Sequence, residues 1–264
     1  MRYKETVCSA GMLEDGTWVR IYPLPLRLLP SYRTGAMSKY HWFDMDLVKN
    51  TKDERPESYR PRDLMSFDLL SLGKLTTGRD KQWSARQEIV LKQPIYTTRA
   101  QLIHDAYDSN KLTSLAVFQP TDILHVEVKE ATERAASPKK QTSLKQVDLF
   151  ETAGDFASFP SVPVDFFYVF TDGEGKRMRM KILDWEAGAL YWKMLRKYNG
   201  NHKKATASVV RKFEHGLVDG RNVYFFLGTT LENHRKKAPN PFTIIGVFWP
   251  PSNPQASLFT DYVP

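Results

Sequence analysis

The chain has 264 residues, 41% hydrophobic and 26% charged, a balance that excludes a disordered polypeptide and allows one large core or two modest ones. Its single cysteine, Cys8, excludes an intrachain disulfide and a thiolate-bound structural zinc, so a reducing, cytoplasmic setting is expected. The net charge of +8 favours a polyanionic partner, whereas no run approaches the ~20 apolar residues of a membrane helix and residues 1–10 lack the apolar core of a signal peptide.

The first region reads as short strands. Residues 4–13 and 17–22 flank Asp15-Gly16, a hairpin signal, and Pro23 with Pro25 ends the second strand. Residues 40–48 alternate apolar and polar side chains at the strand period. Residues 55–62 (RPESYRPR) read as a polar loop, with strands expected at 66–72 and 88–91. Residues 98–107 fit a short helix capped by Thr97 or Thr98, with Leu102, Ile103 and Ala106 on one side. A closing strand is expected at 123–128. Together these predict a small, curved β-barrel-like domain over residues 1–130, similar in shape to the PUA-like barrels that grip RNA or modified bases.

Residues 131–163 are rich in Ala, Ser, Thr, Lys and Pro and read as a linker. A second domain is expected over 164–251, followed by a tail at 252–264. Its strands are expected at 165–170 and 177–183 around the turn Asp172-Gly173-Glu174-Gly175. Asp184 caps a helix in which Ala187, Leu190, Tyr191, Met194, Leu195 and Tyr198 follow the helical period, and Asn199-Gly200 ends it. A helix at 206–215 and buried strands at 223–227 and 242–248 complete a ββααββ order, so the predicted class is α+β.

From Lys176 to Lys237 fifteen lysines and arginines face five acids, a local charge of +10 that exceeds that of the whole chain. Lys193, Arg196, Lys197, His202, Lys203, Lys204, Arg211 and Lys212 fall on or between the two helices, and His234-Arg235-Lys236-Lys237 lies between the last strands. Most lack an acid at i+4, so they predict an unneutralised face able to displace counterions from a phosphate backbone. Asn233 and Asn240 can add polar contacts there. Trp18, Arg20 and Tyr22, with Trp42, are candidates for stacking on a base, set against the ordinary reading of strand aromatics as core.

Two short peptides stand outside the predicted domains: Gln146-Val147-Asp148-Leu149-Phe150 in the linker and Gln255-Ala256-Ser257-Leu258-Phe259 in the tail. Both resemble the pentapeptide that binds the bacterial replication sliding clamp. The resemblance implies that Leu149, Phe150, Leu258 and Phe259 enter an apolar cleft on the clamp while Gln146 and Gln255 bond at its rim. A Leu-Phe pair in a polar segment buries nothing locally and calls for a partner, and its full burial contributes roughly 3–6 kcal/mol before ordering costs. The alternative is a strap folded back onto the protein's own domain.

Catalytic signals are sparse. Asp122, Glu127 and Lys129 resemble the acidic pair and lysine of restriction-type nucleases, in which carboxylates hold a divalent metal such as magnesium, but at a shorter spacing. Asp184, Glu186 and His215 form a second candidate metal set, although Asp184 is explained by its capping position. The histidines show no paired metal spacing, and no phosphate-binding glycine loop or nucleophile elbow is present, so no resident metal or cofactor is expected.

The strings KETVCSAG, TWVRIYP, NTKDERPESYRP, MKILDWEAGALY and FTIIGVFWPP are similar to an uncharacterised bacterial and phage protein family. The resemblance implies a prokaryotic origin and two domains but no reaction. The resemblance implies a hairpin before the Asp-Trp-Glu segment that often carries Cys and His able to bind metal; here it reads FTDGEGKRMRM, without either. The expectation is a DNA-binding accessory protein in replication, repair or defence against foreign DNA, with the clamp and DNA as partners. A metal-dependent nuclease and an RNA-binding module are the alternatives.

Overall fold

Asp15 and Gly16 turn the chain as the hairpin signal predicts: Gly16 takes φ +80°, the Thr17 amide donates to the Asp15 carboxylate, and β1 (Thr6–Met12) pairs antiparallel with β2 (Trp18–Pro25). The computed structural model describes residues 6–25, 39–63, 70–77, 83–131 and 162–252. Both clamp-like peptides, nearly all of the linker and most of the tail lie outside the described residues.

Several expected elements change in the first region. Residues 40–48 form two strands, β3 (His41–Asp44) and β4 (Leu47–Lys49), in different sheets. The segment expected as a loop holds β5 (Ser58–Pro61), parallel to β2 and antiparallel to β4, giving a sheet β1-β2-β5-β4. Its prolines are compatible with a strand because Pro56 precedes it and Pro61 ends it. β6 (Leu70–Lys74) pairs with β3. Residues 88–90, expected as strand, belong to α1 (Ser84–Val90), whose buried Arg86 and Val90 stand at the helical spacing of four.

β7 (Ile95–Tyr96) leads into α2 (Arg99–Tyr107), where the Thr98 hydroxyl accepts from the Gln101 amide as the expected N-cap. β8 (Leu115–Phe118), buried throughout, and β9 (Asp122–Glu130) follow. After the linker come β10 (Val164–Thr171), β11 (Arg177–Lys181), α3 (Trp185–Lys197), α4 (His202–Arg211), β12 (Tyr224–Thr229), α5 (Leu231–Arg235) and β13 (Phe242–Phe248). The order departs from ββααββ by α5, a short helix capped by the Thr230 hydroxyl on the Asn233 amide.

These strands form two sheets, β11-β10-β9 and β13-β12-β8-β7. A parallel bridge between Ile182 and Ile244, with the Leu183 amide donating to the Ile244 carbonyl at 2.7 Å, joins their edges. The hydrogen-bonded order is therefore β9-β10-β11-β13-β12-β8-β7. Only Gln119, Pro120 and Thr121 connect β8 to β9 near the far end of this order, and so short a segment reaches only about 10–14 Å. The array must curl to meet that limit, yet no closed barrel forms among the described residues, and the class is mixed α+β. β8 and β9, expected with residues 1–130, pair with β12 and β10, so backbone pairing crosses the expected boundary at 130.

The apolar density of β8, β12 and β13 follows from burial on both faces. On one face Phe118, Phe225, Leu227 and Val247 pack with Leu102 and Ala106 of α2, Ala187 and Tyr191 of α3, and Ala205 and Val209 of α4. On the other, Val117, Tyr224 and Phe248 pack against Trp18, Tyr40, Trp83 and Val90 from the first region. Full burial of each Leu, Val or Phe among them contributes about 1.5–3 kcal/mol.

A buried polar network continues this second contact. The Arg20 guanidinium donates to the Ser114 carbonyl and hydroxyl at 3.1 and 2.9 Å, and the Ser114 hydroxyl also bonds Glu57. Arg55 makes a two-point ion pair with Asp53 and donates to the Thr229 carbonyl at 2.8 Å, while Ser58 donates to Asp53. Arg20, Asp53, Arg55 and Ser58 are all buried. Buried charges persist only when paired and hydrogen-bonded, and here the pairing ties β2 and β5 to the ends of β8 and β12.

Candidate nucleic-acid interface

Asp184 starts α3 by accepting from the Glu186 amide at 3.0 Å, and its other oxygen takes the Lys39 ammonium at 2.7 Å. Its role as a cap removes Asp184 from the candidate metal set, and Glu186 is also held by Lys39, at 2.9 Å. Asn199 and Gly200 end the helix at φ +48° and +82°, the left-handed geometry that stops a helix. Asn201 then caps α4 by accepting from the Lys204 amide, so this helix starts earlier than the expected residue 206.

The two helices pack through Tyr191, Ala205 and Val209 and present their cations outward. Lys193, Arg196, Lys197, Lys203, Lys204, Arg211 and Lys212 are exposed, and none makes an ion pair among the described residues. Lys197, Lys204 and Arg211 gather around Tyr198. The Lys197 and Lys204 ammoniums lie 5.8 and 6.0 Å from its ring centroid. The Ser208 hydroxyl bonded to its phenol, with the Lys197 and Arg211 charges, holds its ionisation below the usual phenol range. His202 bonds the buried Tyr191 hydroxyl at 2.6 Å.

Along α4 runs an open groove of about 560 Å³ lined by Lys203, Thr206, Ala207, Val210, Arg211, Glu214 and His215, and Arg211 links it to Tyr198. Its lining forms two rows at helical spacing, 203-207-211-215 and 206-210-214, with cations along the rim and Ala207 and Val210 between them. The last part of the expected second helix is a π-helical turn, Lys212–Gly216, a form often found at functional positions. Tyr168 donates to the Phe213 carbonyl at 2.7 Å, and Glu214 accepts from the Val126 amide of β9 at 2.6 Å. These bonds fix the turn to the sheet.

The other predicted contacts are placed differently. Arg235 pairs with Glu54 at 2.8 Å and Lys236 with Glu232, so part of this loop's charge is neutralised, while Lys237 is exposed. Asn233 supplies its amide to the Thr230 cap, and Asn240 has a buried side-chain oxygen without a partner among the described residues. His234 is buried beside Tyr107; burial, with the Arg55 charge, lowers its pKa. Arg20 is an internal anchor rather than a surface contact, and Trp18 packs edge-on against Phe226 at 5.7 Å. The Ser114–Glu57 network claims Arg20 and the apolar cluster around Phe248 claims Trp18, which corrects the base-stacking expectation for them. Trp42 and Tyr22 are half-buried.

The proposed nuclease cluster is not assembled. A bulge in the pairing of β9 with β10 sets Asp122 opposite Thr171 and Glu127 opposite Phe167. The two carboxylates are thus separated by four partner positions, about 13 Å of strand. Glu127 is instead occupied by Arg179 at 2.8 Å and Lys129 at 3.3 Å, and the Arg179 hydrogen bond lowers its pKa despite some desolvation. Among the described residues, His104, Asp105 and Asp108 do bring ligand atoms within 4.8 Å of one another, but Asp105 already accepts from Tyr96 and Lys111.

A family model described as "Domain of unknown function (DUF8757)" matches residues 95–263, which include β7 through β13. The chain belongs to the DUF8757 family. A second model, described as "Domain of unknown function (DUF8758)", matches residues 1–92. The DUF8757 part carries the helical cations, the groove and the curled sheet, and the Arg20 and Arg55 network joins it to the DUF8758 part. No curated protein and no solved structure matches the chain. Among the described residues no helix is long and apolar enough to cross a membrane.

The sequence reading missed the polar network because its charged residues look solvent-loving in the string DERPES. An available signal was the placement of Arg20 between apolar Val19 and Ile21 on a strand.

Proposed function

We propose that the protein binds DNA through the α3–α4 face and is recruited to the replication sliding clamp by the peptides at 146–150 and 255–259. The observation that carries the first half is the collection of exposed cations around Tyr198 that have no carboxylate partner among the described residues. Releasing counterions from a phosphate backbone is the main gain open to such a face. The clamp half rests on the two sequence matches, since a Leu-Phe pair in a polar segment calls for an apolar partner surface. Two peptides suit a ring with more than one cleft, since the second docking step becomes intramolecular. The reading makes the protein an accessory factor in replication, repair or defence rather than an enzyme.

The test is DNA binding at several salt concentrations by the full chain and by Lys197→Glu/Lys204→Glu. Each removed phosphate contact should reduce the log–log salt slope by about 0.7 for single strands or 0.9 for duplex. An unchanged slope and affinity would refute the face. For recruitment, Leu149→Ala/Phe150→Ala/Leu258→Ala/Phe259→Ala should lose retention on immobilised clamp at unchanged thermal stability. A large stability loss instead would identify the pairs as straps.

A further inference from the structure

The basic face contains something that phosphate binding does not use. Counterion release needs only cations, yet the groove along α4 has an apolar strip, Ala207 and Val210, set between Lys203 and Arg211. Ala207 is exposed and Val210 half-buried, so this strip is available at the surface of the described residues. Tyr198, half-buried, lies against Lys204 and Arg211 on the same helix pair. A duplex keeps its base faces stacked inside and offers a flat or aliphatic surface little to cover. An unpaired strand exposes those faces, and binding it requires a cationic track combined with surfaces on which bases rest.

We infer that the groove takes an unpaired base of single-stranded DNA, with Lys203 and Arg211 on the flanking phosphates and Tyr198 as a stacking surface. The inference rests on the proposed DNA-binding face and specifies its ligand. The groove's volume of about 560 Å³ leaves room for one nucleotide with its sugar. Charge complementarity favours this occupant: the cations Lys203 and Arg211 line the site with one carboxylate, Glu214, which is held by the Val126 amide, while His215 faces Asp219 at 3.5 Å. The π-helical turn sets the far end of the groove by placing Glu214 and His215 beside Arg211.

The experiment is fluorescence anisotropy of the full chain with one labelled oligonucleotide, presented as a single strand, as its duplex, and as the RNA of the same sequence. The single DNA strand should bind at least about tenfold more tightly than the duplex at equal salt, the scale of one stacked base. Thr206→Leu/Ala207→Leu fills the groove without changing charge. It should cost the single strand about tenfold in affinity while duplex binding and the thermal midpoint stay unchanged. Tyr198→Ala should weaken the single strand selectively as well.

Equal affinity for strand and duplex would overturn the inference while leaving the DNA-binding face intact. An unchanged single-strand preference in both Thr206→Leu/Ala207→Leu and Tyr198→Ala would also overturn it. Binding of neither ligand would defeat the face and the inference together, and tighter binding of the RNA strand would overturn the assignment to DNA.

Discussion

Replacing Arg55 by methionine tests how the two matched segments are held together. The guanidinium supplies two hydrogen bonds to Asp53, at 2.8 and 2.5 Å, and one to the Thr229 carbonyl at 2.8 Å. The side chains of Arg55 and Asp53 are 6% and 7% exposed, so water cannot replace the lost donors. Methionine fills much of the volume but leaves a buried carboxylate with Ser58 as its remaining side-chain donor. Removing one partner of a buried pair costs about 3–5 kcal/mol, much of it the burden of the stranded charge. Urea unfolding followed by tryptophan fluorescence should show that loss, with a fall in thermal midpoint of roughly 6–20 °C. Asp53→Asn/Arg55→Met removes both charges and should recover part of it, giving a coupling energy of at least about 1 kcal/mol. Burial alone would raise the Asp53 pKa; the Arg55 bonds and charge, with Ser58, outweigh it and lower the pKa. The native pair therefore contributes fully above the ordinary carboxylate value of ~3.9 and loses its contribution as pH falls through the depressed value. A single-variant loss under about 1 kcal/mol, or strict additivity in the double variant, would refute the account of the junction.

Two further predictions concern His234 and the α3 cap. Burial, then the Arg55 charge, pushes the His234 pKa below its ordinary value of 6.5, against smaller opposing effects of Glu54, Glu57 and Asp53. Folding thus favours neutral His234: its contribution is complete above pH 6.5 and is lost as pH falls toward the depressed value, and His234→Gln should flatten stability curves measured over that window. Asp184→Ala removes both the α3 cap and a partner of Lys39, and chemical denaturation should show a loss of at least about 1 kcal/mol, with Asp184→Asn retaining the capping part.

Local elements were legible where one short-range rule governed them. The Asp15-Gly16 hairpin, the Thr98 and Asp184 caps, and the Asn199-Gly200 stop each depend on a few adjacent residues. The period of α3 was equally direct, because its apolar residues face one core. Residues 88–90 misled because a short apolar run fits strand or helix alike, and α1 is distinguished by the burial of Arg86, a residue normally placed outside. The cations of α3 and α4 were identified in sequence, but Arg235 and Lys236 were indistinguishable from them until Glu54 and Glu232 were placed alongside.

Composition and periodicity by themselves determined that this chain folds with mixed helices and strands, that its later half is strongly basic, and that α3 is amphipathic. These properties depend on residue chemistry and on neighbours within a turn or two. Only the tertiary structure decided that β8 and β9 join the two later sheets, that Arg20 and Arg55 are internal anchors, and that Lys203 and Arg211 border a groove. The physical reason is that a charged side chain behaves as anchor, ion-pair partner or free ligand contact according to what lies within a few ångströms of it. Those neighbours come from residues far away along the chain.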